Sequence, residues 1–115
     1  MRIALPVVAL SLLAASTASA EIWQVREGAK GAASSWNVTI SGDRISGVTM
    51  LKNGRGAAEN FQLVGQTKDG GFQIERIGSA SSDRCIYVAK GVSGKQFSGT
   101  AICNGQQTPW LVVRP

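Results

Sequence analysis

The sequence predicts an all-β fold: a single antiparallel up-and-down meander of seven to eight strands, closed or nearly closed into a barrel, with one disulfide. Three observations predict it. Beyond the first twenty residues, no segment carries apolar residues at spacings of three and four long enough for a helix, while short alternating runs bounded by Gly, Asn and Asp recur throughout. The stretch from Arg84 to Cys103 reads as two β-type runs around a Gly91-Val92-Ser93-Gly94-Lys95 turn, with the chain's two cysteines at the outer ends. An apolar-x-Gly-x-small pattern also repeats in Ile45–Thr49, Leu63–Thr67 and Phe97–Ala101. Glycine at matching depth in several strands suits the tight curvature of a sheet that closes on itself, which removes exposed edges.

Residues 1–20 have the layout of an export leader: Arg2, an apolar run from Ile3 to Ala15, then a small-x-small cleavage site at Ala18-Ser19-Ala20. The run is short of the roughly 20 residues a membrane helix needs, so no span is expected after cleavage before Glu21. A periplasmic or secreted location follows, and there two cysteines read as one disulfide. Folding the hairpin about Gly94 sets Cys85 opposite Cys103, Tyr87 opposite Ala101 and Ala89 opposite Gly99. The other face pairs Ile86 with Ile102 and Val88 with Thr100. Opposed residues in a non-hydrogen-bonded pair bring Cα atoms to about 4.5 Å, within disulfide reach. A domain of this size buries only about 60–65% of its unfolded surface, and a short disulfide loop adds about 3 kcal/mol.

In chain order, Ile22–Arg26 alternates as a short first strand, and Glu27–Ser35, rich in Gly, Ala and Ser, reads as a loop. Residues 21–35 are thus expected to be a short strand and flexible lead-in, with the barrel domain at 36–115. Trp36–Ile40 alternates strictly, Gly42-Asp43 turns, and Arg44–Leu51 returns, with a bulge expected near Gly47 that would move Val48 and Met50 onto the core face. Lys52–Asn60 is a longer connection carrying Arg55 and Glu59. Phe61–Thr67 and Phe72–Ile77 flank Asp69-Gly70-Gly71, a strong hairpin signal. Ser79–Asp83 leads into the stapled hairpin, Asn104–Pro109 reads as the last loop, and Trp110–Arg114 as the final strand.

Trp36, followed by Val38 and Ile40 and the Ile45-Ser46-Gly47 return, resembles the opening of calycins, the small barrels of avidins and lipocalins. Lipocalins also place an Arg near the end of the last strand over the first Trp; Arg114 matches that position. The resemblance spans roughly residues 34–114 and implies a barrel that can hold one apolar ligand, with Arg114 covering Trp36 as a cation–π pair. Ser34 stands where avidins carry the Gly of Gly-x-Trp, and their polar ligand-binding residues have no counterparts here. The resemblance therefore carries over a fold and no particular ligand.

An enzyme is not expected. The chain has no histidine, which excludes Ser-His-Asp, Cys-His and histidine metal sites. Two cysteines alone make a poor zinc site, so no metal or cofactor is expected. Glu59, Asp69, Glu75 and Asp83 sit without the distinctive spacing of paired acid–base carboxylates. Twelve Lys and Arg against seven Asp and Glu give a formal net charge of +5, scattered without a run, so nucleic acid is not an expected partner. The aromatics offer a binding surface. Trp36, Phe61, Tyr87 and Trp110 are the candidate ligand-binding residues, with Trp110 and Trp23 expected to be partly exposed. Two functions follow: a binding module for a small apolar or amphipathic ligand, or a periplasmic interaction or inhibitor protein acting on an envelope protein through surface loops.

Overall fold

The computed structural model describes residues 18–52, 55–80 and 83–115, and the expected leader lies almost wholly outside them. Eight strands follow: β1 Ser19–Glu27, β2 Ala32–Ser41, β3 Arg44–Lys52, β4 Ala58–Lys68, β5 Gly71–Gly78, β6 Arg84–Ser93, β7 Gln96–Cys103 and β8 Gln106–Val113. Each pairs antiparallel with the next, and β8 pairs back onto β1, so the meander closes into a barrel. Alternation drives the closure: in β1, Trp23 and Val25 are buried between exposed Ile22, Gln24 and Arg26. No helix among the described residues is long and apolar enough to cross a membrane.

The β6–β7 register matches the sequence pairing: Cys85 with Cys103, Ile86 with Ile102, Tyr87 with Ala101, Val88 with Thr100 and Ala89 with Gly99. The disulfide joins Cα atoms 4.3 Å apart. The repeated glycines mark close strand approach. A Cβ on Gly47, Gly65 or Gly99 would collide with the carbonyl oxygen of Asn37, Gln73 or Val88 on the adjoining strand. At Asp69-Gly70, φ is 51° and 78°, and at Asn104-Gly105 it is 52° and 80°. Positive φ at both central residues gives the turn twist that suits a two-residue hairpin.

Four expectations are corrected. The barrel begins at Ser19 rather than Trp36: Ala32–Ser35 is strand, pairing with Gln24–Glu27. Small residues there made the segment look like loop, yet β1 is held by β2 on one side and β8 on the other. No bulge interrupts β3; its ladder to β4 is continuous, and Gly47 itself takes the inward position. Val48 and Met50 therefore face outward, 49% and 64% exposed, while Thr49 is buried and its Oγ1 donates to the Ser35 carbonyl at 2.9 Å. β4 begins at Ala58, which turns Glu59 inward, where its carboxylate accepts a hydrogen bond from the Ala80 amide at 2.8 Å. The last loop shrinks to Asn104-Gly105, because Gln106–Pro109 already belongs to β8, with Pro109 opposite Thr100.

Candidate functional site

Strand β1 turns Glu21, Trp23, Val25 and Glu27 toward the interior, which sets one carboxylate at each end of the barrel with apolar side chains between. At the first end Glu21 accepts from Arg114 Nε at 2.9 Å and Nη2 at 2.6 Å, and from Trp23 Nε1 at 2.8 Å. The Arg114 hydrogen bonds hold the Glu21 carboxyl below its usual pKa, against the opposing effect of burial. The guanidinium carbon lies 5.8 Å from the Trp23 ring centroid and 5.7 Å from that of Phe72. This corrects the expected pairing of Arg114 with Trp36. Gln24 pairs with Val113, so the residue beside Arg114 on the adjoining strand is Trp23.

At the second end Tyr87 Oη donates to Glu27 Oε1 at 2.8 Å. Arg76 Nη1 stands 3.9 Å from the same oxygen, and its Nη2 donates to Cys85 Sγ at 3.1 Å. The Arg76 guanidinium carbon also lies 4.5 Å from the Phe61 ring centroid and 5.8 Å from that of Tyr87. Burial, then the Glu27 charge, push the Tyr87 hydroxyl far above its ordinary pKa, so it stays a neutral donor. Glu27, Cys85 and Cys103 offer three donor atoms within 4.8 Å of one another. Both sulfurs are spent on each other, and metal binding needs the thiolate.

The structure brings Trp36, Tyr87 and Trp110 together and closes them off. Ring centroids are 4.9 Å apart for Trp36–Tyr87, 5.3 Å for Trp36–Trp110 and 4.8 Å for Tyr87–Trp110. Phe61 lies under Arg76 at one side of this group, and none of the four candidates is more than 1% exposed. Trp110 and Trp23, expected to be partly exposed, are core residues at 1% and 0%. Trp110 is inward because β8 starts four residues earlier than its apolar run indicates. Trp36 Nε1, Trp110 Nε1 and Arg76 Nε are buried without a hydrogen-bond partner.

Accessible features lie on the outside. An open pocket of about 400 Å³ at the Glu21 end has Phe72 and Phe97 beneath it and Lys68, Asp69 and Arg114 around it. On the outer wall, Val64, Gln66, Gln73, Glu75 and Ile86 line a groove of about 320 Å³ across β4, β5 and β6. Met50, Val48, Val64, Ile86 and Val88 are exposed at 41–64%. Polar residues stand opposite them on the adjoining strands: Asn60 and Gln62 opposite Met50 and Val48, Ser46 and Glu75 opposite Val64, and Glu75 and Gln73 opposite Ile86 and Val88. Glu75 is paired with Arg84 at 2.8 Å. The glutamates at the two ends and the outer-wall aliphatic set were not singled out from sequence. The first had a readable signal, since Glu21 and Glu27 are in phase with Trp23 and Val25. Compared with known proteins, the chain matches no family model, and no curated protein resembles it at a significant level.

Proposed function

We propose that this chain is an exported, non-enzymatic interaction protein of the periplasm or the secreted space, which docks a partner protein on the outer wall of its barrel. The observation that carries this reading is the set of exposed aliphatic side chains Met50 and Val48 on β3, Val64 on β4 and Ile86 and Val88 on β6, on one wall with Glu75 and Gln73 of β5 between β4 and β6. Its surroundings have the make-up of a protein interface, an apolar centre with a polar rim, to which exposed Arg44 and Lys90 add two cations. Asn60, Gln62, Gln66 and Gln73 supply neutral amides, and Glu75 is neutralised by Arg84. The docking element under this reading is the wall, where the sequence pointed to loops.

Burial of Trp36, Phe61, Tyr87 and Trp110 weighs against a ligand held inside. A second reading keeps the small amphipathic ligand but moves it to the pocket over Phe72 and Phe97. That volume falls in the range of about 300–1,000 Å³ usual for small-molecule sites, and Lys68 offers a cation for an acidic head group. The calycin resemblance belongs to the same proposal, supported by the strand order.

Native mass spectrometry of the protein purified from its own envelope, beside Val64→Lys, tests the reading. The expected result is a bound protein mass that Val64→Lys loses while staying folded. A bound small mass retained in both would replace the wall with the mouth pocket, and two bare spectra would overturn both.

A further inference from the structure

The disulfide has its cation on one side. Arg76 Nη2 donates to Cys85 Sγ at 3.1 Å, while the Glu27 carboxylate stands 3.9 Å from Cys103 Sγ and within 4.8 Å of Cys85 Sγ. Arg76 Nη1 is ion-paired at 3.9 Å with Glu27 Oε1, which also accepts from the Tyr87 hydroxyl, and Nη2 is the nitrogen that faces the sulfur. Accessibility runs the same way. Cys85 is 2% exposed on the inner face of β6, whereas Cys103 is only partly buried at the end of β7.

We propose that Cys103 is a thiolation site, and that low-molecular-weight thiols open this disulfide in one direction only. The thiol loses its proton to solvent, and its sulfur forms a bond to Cys103 Sγ. The Cys85–Cys103 bond breaks, and its electron pair leaves on Cys85 Sγ as a thiolate facing Arg76. The products are a mixed disulfide on Cys103 and a guanidinium-paired Cys85; no further oxidant or reductant enters. A neighbouring cation lowers a thiol's pKa, and the sulfur of lower pKa leaves faster. Attack in the other direction would require entry to the barrel interior and would place the leaving charge on Cys103, beside Glu27. Arg76 is a positioning residue here: it selects the departing sulfur without reacting. The reverse step, Cys85 thiolate attacking Cys103, expels the thiol and restores the staple, so the modification is reversible. The inference does not depend on which surface docks a partner.

The test treats the folded full chain with reduced glutathione, quenches in acid, unfolds, and caps free thiols with N-ethylmaleimide. Trypsin cuts after Arg84, Lys90 and Lys95, which puts Cys85 and Cys103 on different peptides. Glutathione on Cys103 with maleimide on Cys85 is expected to exceed the reverse pattern by about tenfold or more, and chain unfolded in urea is expected to lose that excess. Arg76→Gln is expected to bring the excess to within about threefold, and Arg76→Lys to restore it. Glutathione on Cys85, an even split in the folded chain, or an excess unchanged by Arg76→Gln would overturn the proposal. Should Arg76→Gln fail to fold, the folded-against-unfolded comparison of the parent chain still decides it.

Discussion

Glu21 and Arg114, at opposite ends of the described barrel sequence, meet in a two-pronged ion pair at 2.9 and 2.6 Å that lies over Trp23 and Phe72. The pair ties the first strand to the segment after the last, beside the seam where β1 and β8 close the sheet. Arg114→Met removes both prongs and leaves the Glu21 carboxylate, 14% exposed, without its main partner. A partly exposed pair lies between the surface and buried limits, so a loss of about 1–2 kcal/mol is expected in urea unfolding. Native tryptophan fluorescence is expected to shift as well, since the guanidinium leaves the Trp23 ring.

The same pair sets an acid limit. Glu21 is held below its ordinary pKa in the folded chain, mainly by Arg114, and returns to the ordinary carboxylate range on unfolding. Its stabilising contribution is therefore fully present above the unfolded value. It is lost as pH falls from there through the lower folded value. Stability measured by urea unfolding between pH 6 and pH 3 is expected to fall more steeply in the parent than in Glu21→Gln; equal slopes would remove Glu21 as a cause.

Closure depends on glycine at inward positions. Gly99→Ala would push a methyl group into the Val88 carbonyl oxygen of the paired strand, where backbone has to move. A loss of about 1–3 kcal/mol is expected from this overpacking. Ser98→Ala, on the exposed face of the same strand, is expected to stay within about 0.5 kcal/mol. Thermal or urea unfolding of the two variants checks the contrast.

Much of the fold was legible because the signals were local. The pairing within Cys85–Cys103 was legible, with bulky Tyr87 meeting small Ala101, although the turn pairs Ser93 with Gln96 and it is a register shift between Gly91 and Ser93 that sets Cys85 opposite Cys103. Strand ends were less legible, because β2, β4 and β8 extend through Ala, Ser, Asn and Gln, which composition assigns to loops. Asn104-Gly105 carried the turn signal that would have started β8 at Gln106 and turned Trp110 inward. Val48 and Met50 misled for another reason. Exposed aliphatic residues look like core in a sequence, and a bulge was needed only to bury them. The candidate rings were found as a group, but sequence gives their proximity without their accessibility. Glu27 gave no spacing signal, since β1 is distant in the chain from the strands of the disulfide, whereas Arg76 stands directly opposite Cys85 in the β5–β6 pair and was within reach of a register argument.

The account rests on a barrel whose interior is occupied by its own rings, and acrylamide quenching of tryptophan fluorescence reads this most directly. Trp23, Trp36 and Trp110 are the chain's three tryptophans, exposed at 0%, 0% and 1%. A blue-shifted emission that acrylamide barely quenches in the folded chain, and quenches fully in urea, is the predicted result. A red-shifted, readily quenched component in the folded chain would contradict it, because at least one ring would then face an open, wet interior.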